Sequence, residues 1–429
     1  MANKIYKALV VLLFLSMMGV ILGMVSPNLS DTDLAVVGNG PHYPVVIVEA
    51  FVYSFLLIRF LLNPQHYLRA IAQMKTLVPL LAICMLSAVW ANSPSLCLRH
   101  SSALVFTCAV AIMLGADFEL PEILRMFAIA STIHIVLVGV YFVGARHFLY
   151  SPSDPLSLKG LTTHKNVFGF DMALAVLTYA LVPFRRLAFL RWPLTALALA
   201  MLLLSRSSGS MVATASAFAV IPFLFAVKFR GVQRIPLLMI SGIGAACLAA
   251  FVAANAAMVP EFFSKNSTLT GRTGLWALVR VAIGQRPLFG YGFDSFWQGL
   301  RGDSLNIILG VGWLVPTAHN GYYDLVLGIG YIGVLCFLPV FFQAIGRDLR
   351  YLTTEKTSAR LFPIAFLAFW LVYNLNESAL LTRSGIPFLL FISMSVSLAM
   401  RSSKKAAAVQ PTAIGYQDDF GYVGNNLPA

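Results

Sequence analysis

A histidine followed at once by Asn-Gly is placed where a long apolar run begins: "TAHNGYYDLVLGIGYIGV", residues 317–334. Of all side chains, histidine has the ordinary pKa best suited to giving and taking protons near neutrality. At the start of a predicted helix, the positive end of the helix dipole disfavours imidazolium and keeps the ring neutral. A general base needs that state, so His319 is the candidate catalytic residue. A histidine that merely caps the helix is the structural alternative. Asn320 and Asp324 follow on the same side, and Glu377 lies in "NESALLTRSG" with Arg383 six positions on.

A second set of residues suggests anion binding. Arg99 in "NSPSLCLRH", Lys165 in "GLTTHKNVFGFD", Arg206 in "SRSSGS" and Arg272 in "TGRTGLW" all fall in short segments between apolar runs. Guanidinium forks match phosphate oxygens in bidentate geometry. In "SRSSGSMVATASA" the serines and glycine open a predicted helix beside Arg206, so backbone N–H groups and a positive dipole end would share its surface. The plainer alternative for each cation is snorkelling to lipid headgroups or pairing with an acidic neighbour. Asp171, Asp324 and Glu377 come near the ends of their runs, on the same expected face as these cations, with Glu49 somewhat deeper. No HExxH occurs, nor any closely spaced ligand pair among these residues, so no metal is expected.

The elements that must position these groups are membrane helices. Of the 429 residues 59% are hydrophobic and 11% charged, and the mean hydropathy is +0.81. Soluble domains carry about 25% charged residues, so the chain is expected to be an all-α polytopic membrane protein. About twelve apolar stretches approach the length of a bilayer-crossing helix. They lie at 5–25, 43–62, 77–89, 103–115, 123–144, 167–183, 194–204, 211–229, 235–258, 322–345, 361–375 and 385–400. The net charge of +13 does not imply nucleic acid. With the N-terminus inside, roughly two thirds of the lysines and arginines fall on the cytoplasmic side, as the positive-inside rule predicts.

A single membrane domain over residues 1–400 is expected, with a cytoplasmic tail without fixed structure at 401–429. Residues 259–320 form a large external loop between spans nine and ten. Within it, "GLWALVRVAIGQ" (274–285) has helical spacing of apolar residues with Arg280 opposite, a short amphipathic helix. "PLFGYGFDSFW" (287–297) reads as a turn with aromatic anchors. "GIGYIG" (328–333) matches a GxGxxG pattern but lacks a preceding strand, and is expected to be a smooth face for close helix packing.

These segments together resemble the O-antigen ligase and polymerase superfamily. "GRTGLW", "PLFGYGFDSFW" and "AHNGYYDLVLGIGYIGV" resemble its C-terminal region, while "NSPSLCLR", "THKNVFG" and "SRSSGS" resemble upstream motifs. The likeness runs from about Trp90 to Arg383, and "NLNESALLTRSG" is most similar to ExoQ-type exopolysaccharide polymerases. The resemblance implies a GT-C-like membrane fold with a large periplasmic loop. It also implies a metal-independent, inverting glycosyltransferase that extends undecaprenyl-pyrophosphate-linked repeat units at the periplasmic face of the bacterial inner membrane, without a cofactor. His319 would activate the acceptor hydroxyl. Arg206 and Arg272 would hold the donor pyrophosphate, with Lys165 and Arg99 as weaker contacts. Asn320, Asp324, Glu377 and Arg383 would orient these groups or the acceptor. Membrane lipids and other exopolysaccharide export and chain-length proteins are the expected partners. The alternatives are a ligase delivering glycan to lipid A core and, from a different class, a lipid-linked oligosaccharide flippase.

Overall fold

The computed structural model describes residues 2–26, 43–152, 154–184, 188–226, 231–257 and 270–409. Helices α1 (Ala2–Met17) and α2 (Val20–Val25) are parted at Gly19, whose left-handed φ of 77° breaks the run. Helix α3 (Tyr43–Leu62) is followed by α4 (Pro64–Ala72) and α5 (Leu77–Leu86). Pro64 enters α4 in its first turn, and the axis bends by 90° between α4 and the 77–89 segment. Helix α6 (Pro94–Asp117) and α7 (Leu120–Gly144) come next, α7 opening on a reciprocal capping box between Glu119 and Glu122. Such boxes satisfy two of the helix's orphan N–H groups at once.

The second half contains α8 (Lys165–Leu181), α9 (Arg191–Leu204), α10 (Ser208–Ala226) and α11 (Arg234–Ala257). Then follow α12 (Thr270–Gln285), α13 (Ser304–Val311), α14 (Gly321–Thr354), α15 (Phe362–Tyr373) and α16 (Ile386–Val409). Each of the twelve predicted apolar stretches falls on one or more of these helices. By length and composition, six described helices can each cross a membrane, and the bent α4–α5 pair would make a seventh. Shorter apolar helices stand beside them at 188–204, 235–246 and 358–373.

Two features depart from expectation. The fold is not purely helical: β1 (Tyr150–Ser151) and β2 (Asp154–Leu158) pair antiparallel before α8. Helix α16 continues to Val409, nine residues into the stretch expected to lack fixed structure. Positions 410–429, and 258–269 at the start of the large loop, lie outside the described residues.

Helix α16 is the axis of the bundle. Phe388, Leu389, Leu390, Phe391 and Ile392 are all buried, and a helix apolar and buried on every side belongs in a core. It packs on α6 and α14, while α8 packs on α9, and α10 on α11 and α15. Helix α3 instead turns Ile47, Phe51, Leu57 and Leu61 outward, as a lipid-facing helix does.

The segment after α11 folds into a unit of its own. Helix α12 buries Leu275, Val279, Ala282 and Ile283 against Tyr291, Phe296, Ile307 and Ile308, leaving Arg280 exposed as its spacing predicts. This unit is fastened to α14 through backbone. Tyr291 and Gly292 N–H groups donate to Leu327 and Gly328 carbonyls (2.7 and 2.9 Å), and Tyr331 N–H donates to Pro287 O (2.9 Å). The close partner of the "GIGYIG" glycines is therefore this extended segment, a correction to the helix-packing expectation. Gly330 leaves helical geometry (φ 64°, ψ −172°) where the segment docks. Beyond this break the 331–354 stretch alone is about 36 Å long at 1.5 Å per residue, against a hydrocarbon core of about 30 Å. The turns before Gly330 can thus stand above a membrane and carry the docked unit as a lid.

Candidate functional site

Residues 318–321 are clamped on every backbone donor. Ala318 N–H donates to the Asp324 carboxylate (3.0 and 3.1 Å), and His319 N–H to Thr317 Oγ1 (3.2 Å). Asn320 N–H reaches Ser378 Oγ (3.2 Å), and Gly321 N–H reaches the Asn374 and Glu377 carbonyls (2.9 and 3.1 Å). A Cβ on Gly321 would lie 2.0 Å from Asn374 Oδ1, so only glycine permits this approach. The clamp holds His319 at φ 47°, left-handed and costly for a residue with a Cβ. Strain of this kind persists only where surroundings enforce it, and it gathers at functional sites.

His319 does not cap α14. Asn320 does, its Oδ1 accepting from Tyr322 and Tyr323 N–H at 3.1 and 3.2 Å. The imidazole is thereby released from the structural role considered for it. Its Nδ1 lies 3.2 Å from Glu377 Oε2, and its ring sits against Trp313 with centroids 5.8 Å apart. The capping histidine is His164, whose Nδ1 accepts from Asn166 N–H at the start of α8.

Glu377 is the hub. Its Oε1 accepts from Arg272 Nη2 (2.9 Å) and Asn166 Nδ2 (2.6 Å), and its Oε2 faces His319. Burial alone would raise this carboxyl. The His319 ring and the Arg272 guanidinium override that and bring it down to about 2. The side chains of His319 and Glu377 are only 17% and 15% exposed, shelter enough to strengthen their interaction.

A cavity of about 550 Å³ opens on this junction. His319, Glu377, Asn166, His164, Gln298 and Arg301 contribute polar wall, and Met17, Leu96, Phe170 and Ile386 apolar wall. A second cavity of about 300 Å³ adjoins it, sharing Trp297, Thr317, Ser378 and Thr382 and adding Asp294, Asp324 and Arg383.

The predicted site residues are only partly brought together. His319, Glu377, Arg272 and Asn320 meet as described. Asp324 orients neither His319 nor an arginine: it accepts from Ala318 N–H, from Trp297 Nε1 (2.7 Å) and from Ser378 Oγ. Lys165 and Arg206 form another cluster around Asp154, at 2.9 and 4.0 Å, and neither lines the cavity. Hydrogen bonds from Ser157 and Lys165 hold Asp154 down to about 2. Arg383 pairs with Asp294 at 2.5 Å, and His100 Nδ1 approaches the same carboxylate. Arg99 is exposed and lines neither cavity. The acidic partners considered as the plainer reading of these cations are thus present for Arg272, Lys165, Arg206 and Arg383.

Sequence reasoning missed Asn166, Trp313, Asp154, Asp294 and Arg301. Asn166 and Asp294 lie far in sequence from Glu377 and Arg383. Trp313 sits in an irregular stretch near His319, Asp154 opens a short strand near Lys165, and only the "KN" after His164 hinted that α8 opens on a polar face. Among the described residues no three His, Cys, Asp or Glu side chains stand close enough to hold a metal.

Helical spans around a polar cavity at one end define a multi-pass membrane protein, and its class follows from comparison. Residues 193–338, which include Arg206, Arg272 and His319, match the O-antigen ligase family. Across 344 residues the chain is 27% identical to the exopolysaccharide production protein ExoQ of Rhizobium meliloti (strain 1021). That alignment covers 76% of this chain and 77% of the relative.

Proposed function

We propose that the protein is a polysaccharide polymerase, transferring glycan from a polyprenyl pyrophosphate to the hydroxyl of a second lipid-linked repeat unit. The observation that carries this is the His319–Glu377 contact on the cavity wall, with Arg272 bound to Glu377 from behind it. A carboxylate can only accept, so Nδ1 of His319 carries the proton, and in that neutral tautomer Nε2 keeps its lone pair. The acceptor O–H proton passes to Nε2 while the acceptor oxygen bonds to the anomeric carbon. The bond from that carbon to the pyrophosphate oxygen breaks, with inversion, and polyprenyl pyrophosphate leaves. Glu377 stabilises the imidazolium, as the carboxylate of a catalytic triad does. Arg272 spends one of its five donors on Glu377 and offers the others to the departing pyrophosphate.

In this scheme twelve spans place both termini in the cytoplasm, and 259–320 covers the site from the periplasm of the inner membrane. Residues 1–400 act as one domain, with membrane lipids and other export and chain-length proteins around it. Support comes from polar clusters at the opposite end, where Asp117 binds Tyr6, Arg59 and Tyr67, and Arg347 binds Ser395. The name of the matched family makes transfer to lipid A core the second reading.

The test is reconstitution with purified lipid-linked repeat units, comparing wild type with His319→Ala. Chain extension should vanish while the variant remains folded and monodisperse. Normal product lengths would overturn the assignment, and product appearing only when lipid A core is added would favour ligation.

A further inference from the structure

The cavity beside His319 has polar wall atoms of two kinds. Most are already engaged: Glu377 takes three donors, Asn166 gives Nδ2 to Glu377, and Ser378 binds Asp324. Two are not. Asp171 Oδ2 and Thr382 Oγ1 are buried and have no hydrogen-bond partner among the described residues, and both residues line this cavity. Asp171 is 2% exposed. It lies six positions beyond Lys165, the first residue of α8, about 9 Å along the axis at 1.5 Å per residue. Asp171 shares one face of α8 with Val167, four positions earlier, and both residues, with Asn166 and Phe170, line the cavity.

A buried carboxyl oxygen without a partner is destabilising, and native structures retain such atoms where a ligand or catalytic role requires them. An acceptor of this kind selects a hydrogen-bond donor and disfavours phosphate. Sugar hydroxyls fit both atoms: they donate to a carboxyl oxygen and exchange hydrogen bonds of either polarity with a threonine hydroxyl. Phe170 and Leu96 on the same wall suit the apolar faces of a sugar ring.

We infer that Asp171 and Thr382 form a sugar-hydroxyl subsite, reading the glycan next to the pyrophosphate rather than the pyrophosphate itself. This rests on the proposed transfer from a lipid-linked glycan. Loss of the hydrogen-bonded group should then discriminate against glycan while sparing the bare carrier, because a site built to bind a hydroxyl rejects ligands that lack one.

The test uses the full-length protein in phosphatidylethanolamine–phosphatidylglycerol nanodiscs. Two probes are titrated: bare undecaprenyl pyrophosphate, and the lipid-linked glycan that accumulates in cells lacking this protein. Asp171→Asn should weaken glycan-carrier binding about tenfold and leave bare-carrier binding within twofold, with Thr382→Val giving a smaller loss of the same kind. Thermal melting of each variant without ligand reports a purely structural role. Equal weakening for both probes, or a lowered melting temperature with unchanged glycan affinity, would overturn the subsite. If the wild type binds neither probe, or no lipid-linked glycan accumulates, the transfer reading itself has failed. Chain extension surviving His319→Ala with Asp171-dependent binding intact would remove the base but keep the subsite.

Discussion

His319 Nδ1 lies 3.2 Å from Glu377 Oε2, joining the segment before α14 to the segment after α15 across 58 positions of sequence. Glu377→Gln should keep the shape of this contact and lose its charge. A positioned general base is worth roughly 10²–10⁴ in rate, and its orienting carboxylate a comparable factor. We expect Glu377→Gln to lower kcat for chain extension at least a hundredfold with a smaller change in KM. Adding His319→Ala to it should cost little more, since the two act as a unit. Additive losses in initial rates would show that they do not.

Arg272 should matter to donor binding in a way no distant arginine does. Arg272→Ala is expected to raise the donor KM at least tenfold, the scale of one charge-assisted hydrogen bond. Arg272→Lys should recover little, because an ammonium cannot reproduce a planar fork shared between Glu377 and phosphate. Arg350→Ala, at the exposed far end of α14, is the control and should be silent. Matching KM changes for Arg272 and Arg350 would remove the anion site from this junction.

The depressed Glu377 carboxyl gives a signed pH dependence. Its pKa in the folded protein is about 2, below the ordinary 4.5. Its contribution to stability is therefore complete above pH 4.5 and is lost as pH falls towards 2. Melting temperature of the wild type should drop more steeply through that window than that of Glu377→Gln, which has no proton to bind there. Above pH 5 the carboxylate stays ionised, so an acid limb in the rate profile at higher pH belongs to another group.

Gly330 decides whether the lid can dock. An added Cβ would lie 2.1 Å from Leu288 O, and the φ of 64° already disfavours any side chain. The left-handed backbone alone costs roughly 1–2 kcal/mol, before the clash. Gly330→Ala should lower the melting temperature by several degrees and make the 286–303 segment more susceptible to protease. Gly346→Ala on the same helix, with open space around its Cβ position, should be neutral or slightly stabilising. Equal behaviour of the two variants would rule out a docking role for Gly330.

The sequence by itself determined the elements. Long apolar runs define helices in any bilayer because backbone groups must be satisfied internally. It also singled out His319, whose context of Asn, Gly and an apolar run is local. Which polar groups meet was decided only by the tertiary structure. Glu377 could have served either an arginine or the histidine, and packing α8, α12, α14 and the 374–378 segment together makes it serve both. Arg206 and Lys165, which look like partners of Arg272 in sequence, are taken instead by Asp154 in a hairpin too short to leave a periodic signal. Asp171 reads as one acidic residue in an apolar helix. Only the closing of neighbouring helices around a cavity turns its carboxyl oxygen into a buried acceptor without a partner. Periodicity acts along the chain, whereas ion pairs and cavities form between segments far apart in it, and there the bundle's packing made the selection.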